Sequence, residues 1–99
     1  MDFDDLMKQA GKLKEELAKR QEELAHKIFE GESGGGMVTA KVNGRHELVS
    51  LKIDPELVNS KDVSMVEDLV KAAVNDAFAK AKNEVQGLFS KMMMGGGAS

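Results

Sequence analysis

The side chains in this chain that could carry chemistry are two histidines, a run of glycines and a scatter of lysines. Glu22, His26 and Glu30 recur at helical spacing, a pattern that turns three donors toward one side of a helix. The helical pattern is expected to end before Glu30, however, and Glu–His neighbours on a surface helix are ordinary. His46 follows a turn, and neither histidine stands beside a serine or cysteine in a nucleophile–base arrangement. Gly34-Gly35-Gly36 invites a phosphate-loop reading. It lacks the Gly-Lys-Ser/Thr that grips phosphate and metal, and a strand pattern follows it where a helix is required. No catalytic residue, metal ligand, cofactor or small-molecule substrate is expected from these constellations.

The basic residues carry more weight. Between residues 8 and 27 the positive side chains are Lys8, Lys12, Lys14, Lys19, Arg20 and Lys27, and the negative ones are Glu15, Glu16, Glu22 and Glu23, a net +2 in an otherwise acidic chain. Lys8, Lys12 and Lys19, spaced by four and seven, fall near one another on a helix surface. Lys71, Lys80, Lys82 and Lys91 add charge to a second helix. Taken alone, this pattern reads most simply as a salt-bridged, solvated face.

Composition narrows the field. Ninety-nine residues allow one domain, and a chain of that size buries about 60–70 % of its unfolded surface, so its core is modest. Cysteine is absent, which excludes disulfides and thiolate zinc sites and suits a reducing cytoplasm. No apolar run reaches the ~18 residues of a membrane span, and no secretory leader pattern opens the chain. Aromatics are only 4 % of residues, with no Trp or Tyr, which argues against recognition by base stacking. The net charge of −3 means that any nucleic-acid site must come from the distribution of charge and not from its total.

The elements that must position these residues are legible in the periodicity. Phe3, Leu6, Met7, Ala10, Leu13, Leu17, Leu24 and Ile28 form a heptad-like stripe over residues 3 to about 27, interrupted where Arg20 falls on the seam. Its intended partners are the same chain or a twin subunit. Asp2, Asp4 and Asp5 suit the positive end of that helix. Glu15–Lys19, Glu16–Arg20 and Glu23–Lys27 have the favourable i, i+4 order. A short strand is expected near 28–33. Val38, Ala40 and Val42, then Val49, Leu51 and Ile53, alternate around Asn43-Gly44, which predicts a hairpin closed by a two-residue type I′ turn. Asp54-Pro55 opens a helical turn over 55–58. A second long helix is expected over about 63–90, with Ser64 and Glu67 as a capping box. Residues 1–91 then form the domain, and 92–99 a loose Met/Gly-rich tail. Helices of ~25 residues are about 38 Å long, longer than the roughly 33 Å diameter implied for a compact chain of this length. Both should overhang the sheet. The second helix is apolar around more of its girth than three strands can cover, which predicts a homodimer through Val66, Val70, Val74 and Phe78.

One stretch is more specific than any of these. Gly-Glu-Ser-Gly-Gly-Gly at 31–36, the alternating strands after it, Ile53-Asp54-Pro55-Glu56-Leu57 and Ala72-Ala73-Val74-Asn75-Asp76-Ala77 together resemble the YbaB/EbfC family of bacterial nucleoid-associated proteins. The resemblance runs from about Met7 to Leu88. It implies an α+β fold ordered helix, three-stranded antiparallel sheet, short helical turn and long helix, assembled as a tweezer-like homodimer. It also implies a non-catalytic role in the nucleoid of the bacterial cytoplasm, binding double-stranded DNA with low sequence specificity and contributing to nucleoid organisation and gene regulation. With that resemblance the solvated-face reading of the lysines gives way to phosphate contact, and the charge pattern nominates Lys8, Lys12, Lys19, Arg20, Lys80 and Lys82. Two competing classes stay open: a protein-interaction scaffold whose helical arms hold a partner protein and, well behind it, a small-molecule or metal-binding module.

Overall fold

The computed structural model describes residues 2–94. Helix α1 spans Phe3–His26, strands β1, β2 and β3 span Ile28–Ser33, Val38–Asn43 and Leu48–Ile53, and helices α2 and α3 span Pro55–Asn59 and Val63–Met94. This is the expected α+β order. Asp2 caps α1 by accepting from the Asp5 N–H at 2.9 Å, and Asp54 caps α2 by accepting from the Glu56 N–H at 2.9 Å, with Pro55 in the first turn. The cap of α3 is Asp62 and not Ser64. The Asp62 carboxylate accepts from the Met65 N–H at 3.0 Å, and Val63 is already helical. At its other end α3 continues through Met94, because the methionines are competent helix formers and the glycines begin only at 95. Residues 95–99 of the expected tail lie outside the described residues.

The sheet is antiparallel in the order β1-β2-β3. α3 lies across β1 and β2. The core is Phe29 from β1, Val38, Ala40 and Val42 from β2, Leu57 from α2, and Ala73, Ala77 and Ala81 from α3. The three alanines recur every four residues, so they line one face of the helix, and their small size lets it approach the sheet closely. Contact is closest at Gly31, where an added Cβ would lie 2.3 Å from the Ala77 amide nitrogen and 2.4 Å from the Ala73 carbonyl oxygen. The glycine run at 34–36 forms one turn of left-handed backbone (φ +62°, +67° and +95°), a conformation that glycine adopts without a Cβ penalty.

The hairpin departs from the type I′ expectation. Asn43 is the last residue of β2, Gly44 does not have a positive φ, and the residue in the left-handed region is His46 (φ 64°). The His46 N–H donates to the Asn43 carbonyl at 3.2 Å and the Asn43 N–H to the Glu47 carbonyl at 3.0 Å. This is a three-residue loop with its left-handed residue last. The Asn43 side chain holds it, accepting from the Arg45 N–H at 2.9 Å and the Glu47 N–H at 3.1 Å. A register shift follows. Lys41 pairs with Ser50 but Val42 with Leu48, so Val49 is bulged out and Leu48 takes the place expected for it.

Gly44 is constrained for a different reason from the one the turn type suggested. An added Cβ would lie 1.9 Å from the Leu24 carbonyl oxygen, because the loop presses against the last turn of α1. Gly44→Val is therefore expected to lower the melting temperature clearly, by about 4–8 °C per kcal/mol lost for a domain of this size. An unchanged melt would show that loop and helix do not touch.

Candidate nucleic-acid interface

Both long helices leave the sheet at its hairpin end, and the molecule measures 70 × 25 × 15 Å with a radius of gyration of 19.8 Å. A compact chain of this length has a radius nearer 13 Å, so the excess lies in the helical arms. No residue of α1 is buried. Phe3 is 73 % exposed and Leu13 57 %, and Leu17 is half-buried, so the apolar stripe is largely uncovered within a single chain. The expected pairs Glu15–Lys19, Glu16–Arg20 and Glu23–Lys27 do not form. Among the described residues the ion pairs are Lys27–Glu84 and Lys80–Asp76. An exposed pair is worth only about 0–1 kcal/mol, so i, i+4 spacing alone does not fix which partner a lysine takes.

The nominated basic residues fall into three environments. Lys8, Lys12 and Lys19 are exposed on α1, at spacings that put them on the side away from Leu6, Leu13 and Leu17. Lys12 and Lys19 share a surface with Glu15 and Glu16. Arg20 stands apart from them. It lines an open groove of ≈ 340 Å³ between the arms with Leu17, Gln21, Leu24, Val85, Leu88 and Phe89, which accounts for its place on the apolar seam.

Lys80 is already engaged. Its ammonium donates to the Glu30 carbonyl at 2.9 Å and lies 3.3 Å from Asp76, whose carboxylate accepts from the Glu32 N–H at 3.2 Å. β1 is an outer strand, and in antiparallel pairing every second residue points its backbone groups off the edge. Asp76 and Lys80 satisfy two such groups and tie α3 to that edge. Donation from the Glu32 N–H, then from Lys80, holds the Asp76 carboxyl below the usual carboxylate range. Its contribution is present above the ordinary carboxylate value and is lost as pH falls through the lowered one. A phosphate approaching Lys80 has to compete with these partners. Lys82 is exposed.

The opposite edge is different. α3 leaves β3 uncovered, and Leu48 and Leu51, which pair with Val42 and Ala40, remain 45 % and 42 % exposed. Val66, Val70, Val74 and Phe78 are half-buried and pack against the core. Phe78 also lies 6.1 Å from the His46 ring.

Glu30 belongs to β1, beyond the end of α1, so it does not share a helix face with Glu22 and His26. Among the described residues no group of three or more His, Cys, Asp or Glu side chains is arranged to hold a metal. No helix among them is long and apolar enough to cross a membrane.

Comparison with known proteins gives the same architecture. Residues 1–97 match the model of the YbaB/EbfC DNA-binding family. A nucleoid-associated protein of Caldanaerobacter subterraneus subsp. tengcongensis is 48% identical over 93 residues, covering 94% of this chain and 84% of that protein. A nucleoid-associated protein of Legionella pneumophila (strain Corby) is 43% identical over 90 residues, covering 91% of this chain and 80% of that one. The crystal structure of an uncharacterized protein from Helicobacter pylori superposes with a TM-score of 0.76 at 31% identity, covering 94% of this chain and 98% of that one.

Proposed function

The chain belongs to the YbaB/EbfC DNA-binding family, and we propose that it acts as a nucleoid-associated protein that binds duplex DNA as a homodimer, without catalysis and with little sequence preference. The observation that carries the reading is the family match over nearly the whole chain, joined to a helical arm that presents Lys8, Lys12 and Lys19 to solvent. Attraction to phosphate is indifferent to sequence, and few aromatics are available for stacking. Such binding supports a place in the nucleoid, in organising DNA and modulating transcription. Retardation of random duplex DNA at several salt concentrations tests it. Steeply salt-dependent binding that varies little between sequences supports the proposal. Absence of retardation even at low salt overturns it in favour of a scaffold whose arms hold a protein.

Dimerisation is supported by the uncovered β3 face and the half-buried stripe Val66, Val70, Val74 and Phe78 beside it. A second copy would cover both and double the basic arms, which is how a chain of net charge −3 gains enough local positive potential to hold a polyanion. Light scattering at micromolar concentration is expected to give twice the chain mass. Val74→Asp is expected to break the dimer or the fold, because it buries an unpaired carboxylate. A monomeric parent, or a Val74→Asp variant as dimeric and stable as the parent, would remove the dimer from the reading.

A further inference from the structure

We propose that Lys27 and Glu84 form a latch that sets the angle between α1 and α3, which makes them positioning residues for the basic arm. The consequence for DNA rests on the function proposed above; the arm angle does not.

Little holds α1 beyond its last turn, where half-buried Leu24 packs against the core. The helix buries no residue. Its last turn meets the hairpin loop at Gly44, through Leu24 and Ala25. The chain leaves it at Lys27, whose extended backbone (φ −67°, ψ 140°) is the single residue between helix and β1. That joint residue also reaches sideways. Its ammonium pairs with the Glu84 carboxylate on α3, 57 residues away in sequence, and lies 5.7 Å from the centre of the Phe29 ring. Phe29 belongs to the buried core and is 6 % exposed. Farther out, the arms are separated by the open groove of ≈ 340 Å³.

An exposed ion pair adds little to global stability. Here it is placed where little is enough. It opposes rotation about a one-residue joint, and the lever beyond the joint is 24 residues long. At 1.5 Å per residue that lever is about 36 Å, so a turn of ~10° moves its tip by ~6 Å. Lys8, Lys12 and Lys19 move with it. Salt screens exposed charges, so the arm is expected to spread as ionic strength rises.

The chain has no cysteine, so nitroxides can be placed at Gln9→Cys on α1 and Ser90→Cys on α3. Diluting the labelled chain into excess unlabelled chain restricts the measurement to distances within one protomer. Gln9 lies about 26 Å from the joint, so Glu84→Lys is expected to shift the mean distance by about 4 Å for a turn of ~10°, with an unchanged melting temperature. The swap Lys27→Glu with Glu84→Lys is expected to restore the parent distribution. Should Glu84→Lys not fold, Glu84→Gln and Lys27→Gln report the same loss of the pair. Distributions unchanged in all single variants, or a swap that fails to restore the parent, overturn the latch.

Affinity for random duplex DNA is the second readout. Glu84→Gln and Lys27→Gln change net charge in opposite directions, so charge alone predicts opposite effects. Loss of the latch predicts that both weaken binding, by about two- to fivefold, the equilibrium range of an exposed pair. If distances move but affinities follow net charge, the latch stands and its role in positioning the arm on DNA is overturned. A parent that binds no duplex refutes the DNA reading, while the distances still decide the latch.

Discussion

Gly31→Val is expected to cost the folded chain about 3 kcal/mol or more. A Cβ at position 31 would lie 2.3 Å from the Ala77 nitrogen and 2.4 Å from the Ala73 carbonyl oxygen, and both are backbone atoms of a regular helix. A crowded side chain can rotate away; a helix backbone cannot without moving as a unit. That movement would draw Ala73, Ala77 and Ala81 off the sheet and loosen the contacts that Asp76 and Lys80 make with β1. Overpacking of flexible core side chains costs about 1–3 kcal/mol, and a rigid obstacle puts this case at or above the upper end. A domain of this length has only about 5–15 kcal/mol in total. Circular dichroism is expected to show a melting temperature lower by more than ~10 °C, or no cooperative transition. Gly31→Ala adds the same first carbon and is expected to fall in the same direction. Gly11→Ala is the control. An added Cβ there meets nothing within 4 Å, and alanine is the better helix former by roughly 1 kcal/mol, so the melt is not expected to fall. If Gly31→Ala melts with the parent, the contact between α3 and β1 is looser than the geometry implies.

Charge reversal of Lys12 and Lys19 together is expected to weaken binding to every duplex alike and to flatten its salt dependence. Each phosphate contact releases counterions, and losing one lowers the slope of log affinity against log salt by about one. Two contacts per arm, doubled in a dimer, would therefore lower the slope by up to about four. Both residues are exposed on a helix with no buried side chain, so the circular dichroism spectrum and melt should match the parent. Lys80 is a poorer choice for this test, since its partners Glu30 and Asp76 tie it to the edge of β1, and its reversal would confound binding with folding. A folded Lys12→Glu, Lys19→Glu variant that holds random duplex as tightly as the parent would reduce these lysines to a solvated face.

What the sequence determined by itself was everything carried by local period and local chemistry. The 3.6-residue stripe from Phe3 to Leu24 placed α1, the alternation of Val38, Ala40 and Val42 placed β2, and Asp54-Pro55 placed the start of α2. The order of the short motifs also pointed to the family that the comparison bears out. These signals survive in one dimension because caps and apolar spacing are local: a helix satisfies its own backbone, and a strand, which bonds to its neighbours, still sorts its two faces by period.

The tertiary structure alone decided what depends on residues far apart in the chain. Asn43-Gly44 reads as a two-residue turn, but the loop packs under α1 and the left-handed residue becomes His46. Val49 keeps the alternation in sequence, yet the bulge gives its place opposite Val42 to Leu48. Glu23 is the obvious helical partner of Lys27, but the pair forms with Glu84. Lys80 reads as one more surface charge, and it closes a strand edge 50 residues away. In each case the deciding partner is remote in sequence, and neither propensity nor periodicity encodes which distant surface an element will meet. The close approach at Gly31 belongs with them. Its necessity lies in two backbone atoms of α3, and those are in place only once helix and sheet have packed.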